Sequence, residues 1–115
     1  MKKEGDLKTE LKKLKHFAEI LIEKDLLKKI NKIEDLEERK LLYQYSIKAK
    51  LEMRYAELKD TLHRLDSKNK DVFVAMTKLY LLGSKIRLFN ATCEGDDFKN
   101  IESLFKEIKK EIKNV

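Results

Sequence analysis

The sequence predicts an all-α protein, an antiparallel helical bundle of about four helices in a single domain spanning residues 1–115. The chain is 42% hydrophobic, which is too apolar for a disordered protein. It contains three glycines and no proline, too few for the tight turns of a sandwich or barrel. Its apolar residues recur at helical spacing. A chain of 115 residues suits one domain with a hydrophobic core of its own.

The first predicted helix runs from about Asp6 to Lys29. Its apolar residues recur at alternating steps of four and three and therefore share one face of the helix: Leu7, Leu11, Leu14, Ala18 and Leu21. Asp25 occupies the next position of this stripe. We therefore expect the helix to kink, or its repeat to stutter, near Glu23 to Asp25.

The second predicted helix begins at a capping box formed by Asn31 and Glu34 and continues to about Leu65, a length of roughly 50 Å. Paired with the first helix, it makes a long hairpin. One of its faces carries Ile33, Leu36, Ile47, Leu51, Tyr55, Leu58, Leu62 and Leu65, and the opposite face carries Leu42, Tyr45, Ala49, Met53 and Ala56. Two apolar faces predict a helix that is packed on two sides.

The third predicted helix begins near Asn69 or Asp71 and ends near Cys93, with Gly95 as the residue after its C-cap. Asp96 and Asp97 then cap a fourth helix that reaches Lys113. The apolar stripe of this last helix has the spacing of a coiled-coil seam: Phe98, Ile101, Phe105, Ile108, Ile112 and Val115.

The third predicted helix is apolar on nearly every side and needs a neighbour beyond those of a simple bundle. Either the overhang of the long second helix or another protein chain covers it. We predict a protein interface at Leu42, Tyr45, Ala49, Met53, Val74, Leu81 and Leu88, since large exposed apolar patches mark interfaces. The alternative is a compact monomer in which the first helix bends at Asp25 and closes the gap.

The net charge of +6 raises the possibility of nucleic-acid binding. The basic residues alternate with acidic ones at helical spacing along most of the chain, a pattern typical of solvated helix faces. The strongest basic band is about 60° wide on the second helix and contains Arg39, Tyr43, Ser46, Lys50 and Arg54. Arg39, Lys50 and Arg54 are the predicted contacts to a phosphate backbone. For the tyrosines near this band, a structural role at the edge of the core is favoured over nucleic-acid binding.

No arrangement of residues predicts catalysis or metal binding. His16 is predicted to face water, and His63 lies near the secondary face of the second helix. Cys93, the single cysteine, is expected to act as a small buried apolar side chain. The sequence has no glycine-rich phosphate loop and no nucleophile elbow. We therefore predict no enzyme activity, no cofactor, no metal and no small-molecule substrate.

The sequence predicts a cytoplasmic protein. No apolar segment follows the basic N-terminus, so we expect no signal peptide. The longest apolar run is too short for a membrane span. The first functional hypothesis is a non-enzymatic protein interaction or scaffolding module that forms a homodimer or binds another helical protein. The alternative is sequence-independent RNA or DNA backbone binding, as in a small helical subunit of a nucleoprotein complex.

Overall fold

The computed structural model describes residues 4–115, and their side chains from Asp6 onward. The helices are α1 (Glu4–Leu21), α2 (Lys24–Asn31), α3 (Leu36–Ser67), α4 (Phe73–Thr92) and α5 (Gly95–Lys113). No strand occurs in residues 4–115, which confirms the all-α prediction. The bundle of about four helices is not confirmed, because the described chain contains five. Residues 1–3, part of the segment judged not to be a signal peptide, lie outside the described residues.

The chain divides into two compact units, Met1–Leu51 and Glu52–Val115. We call them the N-terminal unit and the C-terminal unit. The boundary falls inside α3, so this helix contributes its first half to one unit and its second half to the other. The single domain expected over residues 1–115 stays a prediction.

In the N-terminal unit, α1 buries the face that its apolar spacing predicts. The buried side chains of α1 and the residue after it are Leu7, Leu11, Leu14, Phe17, Ala18, Leu21 and Ile22. The predicted first helix is interrupted after Leu21, and α2 starts at Lys24. This break confirms the expected kink near Glu23. It separates the buried stripe of α1 from α2, in which Ile30 is buried.

The predicted capping box at Asn31 and Glu34 is wrong. Asn31 is the last residue of α2, and α3 begins at Leu36. The cap is supplied by Asp35, whose carboxylate accepts a hydrogen bond from the amide of Glu38 at 3.0 Å. Aspartate caps a helix as well as asparagine does. The Asn31 side chain instead accepts a hydrogen bond from the hydroxyl of Tyr43.

The link between α3 and α4 contains a left-handed residue close to the end of α3. Asn69 has φ 62°, and its amide donates to the carbonyl of Asp66 at 2.9 Å. The amide of Lys70 donates to the carbonyl of Leu65 at 3.1 Å. These two bonds form a Schellman motif, with asparagine in the position that glycine usually takes. The third predicted helix therefore starts a few residues later than expected, at Phe73.

The C-terminal unit is built on an antiparallel α4–α5 pair. The rings of Phe89 and Phe98 lie 5.5 Å apart at one end, and Lys78 lies 3.4 Å from Glu111 toward the other. The buried side chains of the pair are Ala75, Leu79, Leu82, Ile86, Phe89, Phe98, Ile101, Leu104, Phe105 and Ile108. The predicted stripe of the last helix is thus confirmed up to Ile108.

The turn between α4 and α5 differs from the prediction. Cys93, not Gly95, takes the left-handed conformation, with φ 55° and ψ 33°. Its amide donates to the carbonyl of Phe89 at 2.7 Å and closes α4. Gly95 is already the first residue of α5, so only two residues separate the helices. Asp96 and Asp97 lie in the first turn of α5, where the helix dipole favours negative charge.

None of the described helices combines the length and the apolar character that crossing a membrane requires.

Candidate protein interface

The helix α4 has one buried face and one exposed apolar face. Its buried face contains Ala75, Leu79, Leu82, Gly83, Ile86 and Phe89. On the other side Val74, Leu81 and Leu88, spaced seven residues apart, are 50%, 49% and 45% exposed. Phe73 and Tyr80, also seven residues apart, are 76% and 72% exposed. This second apolar side of α4 is therefore left exposed.

Small residues run between these two exposed rows. Thr77, Ser84 and Ala91 are exposed. Together with Val74, Leu81 and Leu88 they recur at alternating steps of three and four, the spacing of a coiled-coil seam. At about 100° per residue they project between the row of Val74 and the row of Phe73. We call the whole surface the α4 face; it consists of Phe73, Val74, Thr77, Tyr80, Leu81, Ser84, Leu88 and Ala91.

The hydroxyl groups of the α4 face make hydrogen bonds within α4. Thr77 donates to the carbonyl of Phe73 at 2.9 Å. Ser84 accepts a hydrogen bond from the guanidinium of Arg87 at 3.2 Å. A partner that covers these groups leaves both hydroxyls with a hydrogen bond, which reduces the free-energy cost of removing water from them.

The charges beside the α4 face are basic. Helix α4 contains Lys78, Lys85 and Arg87 and no acidic residue. Lys78 is paired with Glu111 of α5 at 3.4 Å. The pair has partly exposed side chains, so its own contribution to stability is small. Its position matters more, because it brings one carboxylate to an otherwise basic border.

The interface residues predicted on α3 are less uniform. Tyr45 and Ala49 of the N-terminal unit are exposed and Leu42 is half-buried; Met53 of the C-terminal unit is exposed. In the described residues, the secondary face of this helix is exposed except at Leu42, so the expected packing on two sides is not met there. Sequence reasoning missed Leu41, which is 62% exposed one turn before Tyr45.

The three basic residues predicted to contact nucleic acid are all half-buried. In the N-terminal unit the guanidinium of Arg39 donates to the carbonyl of Ile33, from Nε at 2.8 Å and also from Nη2. In the C-terminal unit Arg54 lies over the ring of Phe105 at 5.9 Å. Arg39 and Arg54 therefore both serve the fold of their own unit, a use that a projection of charges around a helix does not detect.

Tyr43, which belongs to the same predicted basic band, is buried in the N-terminal unit. It is only 2% exposed, and its hydroxyl is bonded to Asn31. Burial raises the pKa of the Tyr43 hydroxyl; the positive charge of Arg39 opposes this rise and the negative charge of Glu19 adds to it. The band therefore lies along the edge of the core and does not form one continuous exposed stripe.

The two histidines and the cysteine, the side chains best suited to metal binding or catalysis, form no metal-binding group among the described residues. His16 and His63 are exposed, as the helical projection predicts for His16. Cys93 is half-buried at the left-handed turn after α4. Within residues 4–115, no group of three His, Cys, Asp or Glu side chains is placed to hold a metal ion.

Open grooves also occur on the surface of the C-terminal unit, including the following two. The first has a volume of about 380 Å³, adjoins the α4 face at Val74, and is lined by Asn69, Lys70, Asp71, Val74, Ala75, Glu111, Asn114 and Val115. The second has a volume of about 320 Å³ and is lined by Arg54, Glu57, Leu58, Thr61, Phe105 and Lys109. The first groove extends the α4 face beyond the N-terminal end of the helix.

Comparison of the chain with protein-family models, with curated proteins and with solved structures gives no match.

Proposed function

We propose that this protein is a non-enzymatic interaction or scaffolding module that associates with itself through exposed helix surfaces. The observation that carries the proposal is the α4 face, where Val74, Leu81 and Leu88 remain about half exposed beside two aromatic rings. Large apolar surfaces of this kind mark interfaces in soluble proteins. Joined α4 helices would form the seam of an antiparallel helical bundle. The proposed setting is the cytoplasm, where a lone cysteine stays reduced.

The free energies set the strength of association to expect. Fully burying one aliphatic side chain contributes about 1.5–3 kcal/mol, so the half-exposed Val74, Leu81 and Leu88 of two copies contribute about 5–9 kcal/mol. Losing independent motion costs about 4–15 kcal/mol. Phe73 and Tyr80 add apolar contact area. The gain and the cost are similar in size, so we expect at most a weak, concentration-dependent dimer.

Sedimentation equilibrium tests this proposal directly. The 13.7 kDa chain is expected to approach twice its monomer mass as its concentration rises from about 10 µM to about 1 mM. Leu81→Glu places a charge at the centre of the α4 face and is expected to return the mass to that of the monomer. Ser103→Glu is the matched control, because Ser103 is exposed on α5 and the substitution changes the net charge equally.

A further variant distinguishes the α4 face from the interface predicted on α3. Met53→Glu changes the predicted interface on α3 and leaves the α4 face intact, so its mass is expected to match that of the unaltered chain. Loss of the dimer in Met53→Glu but not in Leu81→Glu would move the interface to α3. A monomer mass for the unaltered chain at every concentration would overturn self-association altogether. Circular dichroism of each variant checks that its helices are intact.

A further inference from the structure

We infer that the occupant of the α4 face is α4 of a second copy, running antiparallel to the first about a twofold axis near Leu82 and Gly83. The inference rests on the proposed self-association and adds the pairing mode. Its basis is the alternation of large and small side chains along the seam. Val74, Leu81 and Leu88 alternate with Thr77, Ser84 and Ala91 at steps of three and four.

An antiparallel pairing fits a large side chain against a small one in every layer. Val74 faces Ala91 of the second copy, Leu81 faces Ser84, and Leu88 faces Thr77; the twofold axis repeats each pair. In this arrangement the distance between the two helices stays uniform along the seam. A closed twofold pair also has no free copy of the same surface left to bind a third chain.

A parallel pairing fits the same residues poorly. It would place large side chains against each other at Val74, Leu81 and Leu88, and small ones against each other at Thr77, Ser84 and Ala91. Layers with two large side chains hold the helices apart, so the layers between them would contain cavities. The alternation therefore favours the antiparallel pairing.

The charges beside the seam are compatible with the antiparallel arrangement. In the antiparallel pair Tyr80 lies beside Arg87 of the second copy, where a guanidinium can pack on an aromatic ring. On the other side Lys85 of the second copy approaches Lys78. Glu111, 3.4 Å from Lys78 in the same chain, brings a carboxylate next to this pair of lysines. The basic border of α4 is thus compatible with a second basic copy.

The dimensions of the α4 face agree with a reversible dimer. From Phe73 to Ala91 the helix is about 28 Å long, and a helix with its side chains is about 10–12 Å wide. A contact of this size on each copy belongs to the small, reversible class of interfaces. A dimer joined by a contact of this size is expected to dissociate on dilution.

Cysteine cross-linking tests the direction of pairing. Thr77→Cys and Ala91→Cys are made separately, each with Cys93→Asn, which removes the native thiol and keeps a residue that tolerates the left-handed conformation. The new cysteines are small and leave the large side chains of the seam in place. A short bismaleimide spanning about 8 Å is added to each variant alone and to their mixture.

The antiparallel pair predicts cross-linked dimer in the mixture and none in either variant alone. Position 77 of one copy lies about one helical turn from position 91 of the other, whereas the two copies of position 77 are about 16 Å apart along the axis. Cross-linking of each variant with itself would show a parallel pair and overturn the inference. So would sedimentation of a dimer that cross-links in neither case.

The two failures can be told apart. If the unaltered chain sediments as a monomer over the whole concentration range, self-association fails and the pairing inference fails with it. If the dimer is present and responds to Leu81→Glu but gives the wrong cross-linking pattern, only the antiparallel arrangement is overturned. Sedimentation of both cysteine variants before cross-linking checks that each still forms the dimer.

Discussion

The buried tyrosine of the N-terminal unit shows how one polar group can fix a local structure. Tyr43 lies on α3, while its hydrogen-bond acceptor, Asn31, ends α2. Two residues later the chain reaches Ile33, whose carbonyl is held by the guanidinium of Arg39. These contacts hold the first half of the segment between α2 and α3. Helical spacing places Tyr43 and Arg39 on one helix but gives no information on their partners.

Tyr43→Phe is expected to lower the free energy of unfolding by about 1 kcal/mol, because the Asn31 carbonyl oxygen loses its donor in a partly buried site. The ring remains and no cavity forms. Urea denaturation followed by circular dichroism measures the loss. Tyr45→Phe is the matched control, since Tyr45 is exposed two residues away and is expected to change stability little. Equal effects of the two substitutions would contradict the role given to the Asn31 bond.

The raised pKa of Tyr43 predicts a pH dependence. Burial keeps the hydroxyl protonated in the folded chain at pH values where the unfolded chain has lost that proton. The stabilisation that Tyr43 provides is thus complete below pH ~10 and declines as the pH rises through the folded-state pKa. The stability difference between the unaltered chain and Tyr43→Phe should shrink above pH ~10. A stability difference that grows above pH ~10 would contradict the raised pKa of Tyr43.

At the scale of the helix, the spacing of apolar residues predicted the buried faces of α1 and α5 better than it predicted the residues at which the helices begin and end. The buried stripe of α1 and that of α5 up to Ile108 follow their apolar repeats. The ends differ because several residues near each terminus can cap a helix. Asn31 and Asp35 are both good N-cap residue types. In the structure Asp35 accepts the Glu38 amide, whereas the Asn31 side chain accepts from Tyr43, a long-range contact that helical spacing does not reveal.

Asp35→Ala is expected to lower the free energy of unfolding by about 1 kcal/mol through loss of the α3 cap. Asp35→Asn keeps an acceptor for the Glu38 amide and serves as the control, with a smaller loss expected. Thermal denaturation of the three proteins at one pH compares them. Equal loss in both variants would mean that the carboxylate acts through its charge on the helix dipole and not through the cap bond.

Inside the C-terminal unit, the ring of Tyr55 on α3 packs against α4 at Gly83. A Cβ placed there would lie 3.2 Å from Cε2 of Tyr55. Gly83→Leu is expected to destabilise the chain by about 1–3 kcal/mol through overpacking. In a Tyr55→Ala background the same substitution should cost less, and a double-mutant cycle in urea measures the coupling. Additive effects would show that another neighbour limits the space at Gly83.

At the scale of the whole chain, composition was sufficient to predict the fold class. It was insufficient to predict which charged side chains contact their own chain and which are exposed. The scarcity of glycine and proline predicted helices, and residues 4–115 contain no strand. The net charge of +6 says little about its distribution, because a helix projection cannot show which cations contact their own chain. Arg39 and Arg54 are examples.

Nucleic-acid binding is the alternative to protein association and has its own test. Diffuse positive charge predicts retardation of RNA or DNA at about 50 mM salt that disappears by about 200 mM. Arg54→Ala is expected to weaken it no more than Lys48→Ala, an exposed lysine on the same helix, because Arg54 already packs on Phe105. Selective loss of binding in Arg54→Ala would favour a dedicated contact. Complete lack of retardation at about 50 mM salt would remove this alternative.

The hydroxyls of Thr77 and Ser84, which already have partners within α4, have a thermodynamic consequence for association. Dimer formation removes mainly apolar groups of the α4 face from water, so it should have a negative change in heat capacity. Heats of dilution measured at several temperatures would then show dissociation becoming steadily more endothermic on warming. The dimer should also weaken as the solution is chilled, since the hydrophobic driving force fades in the cold.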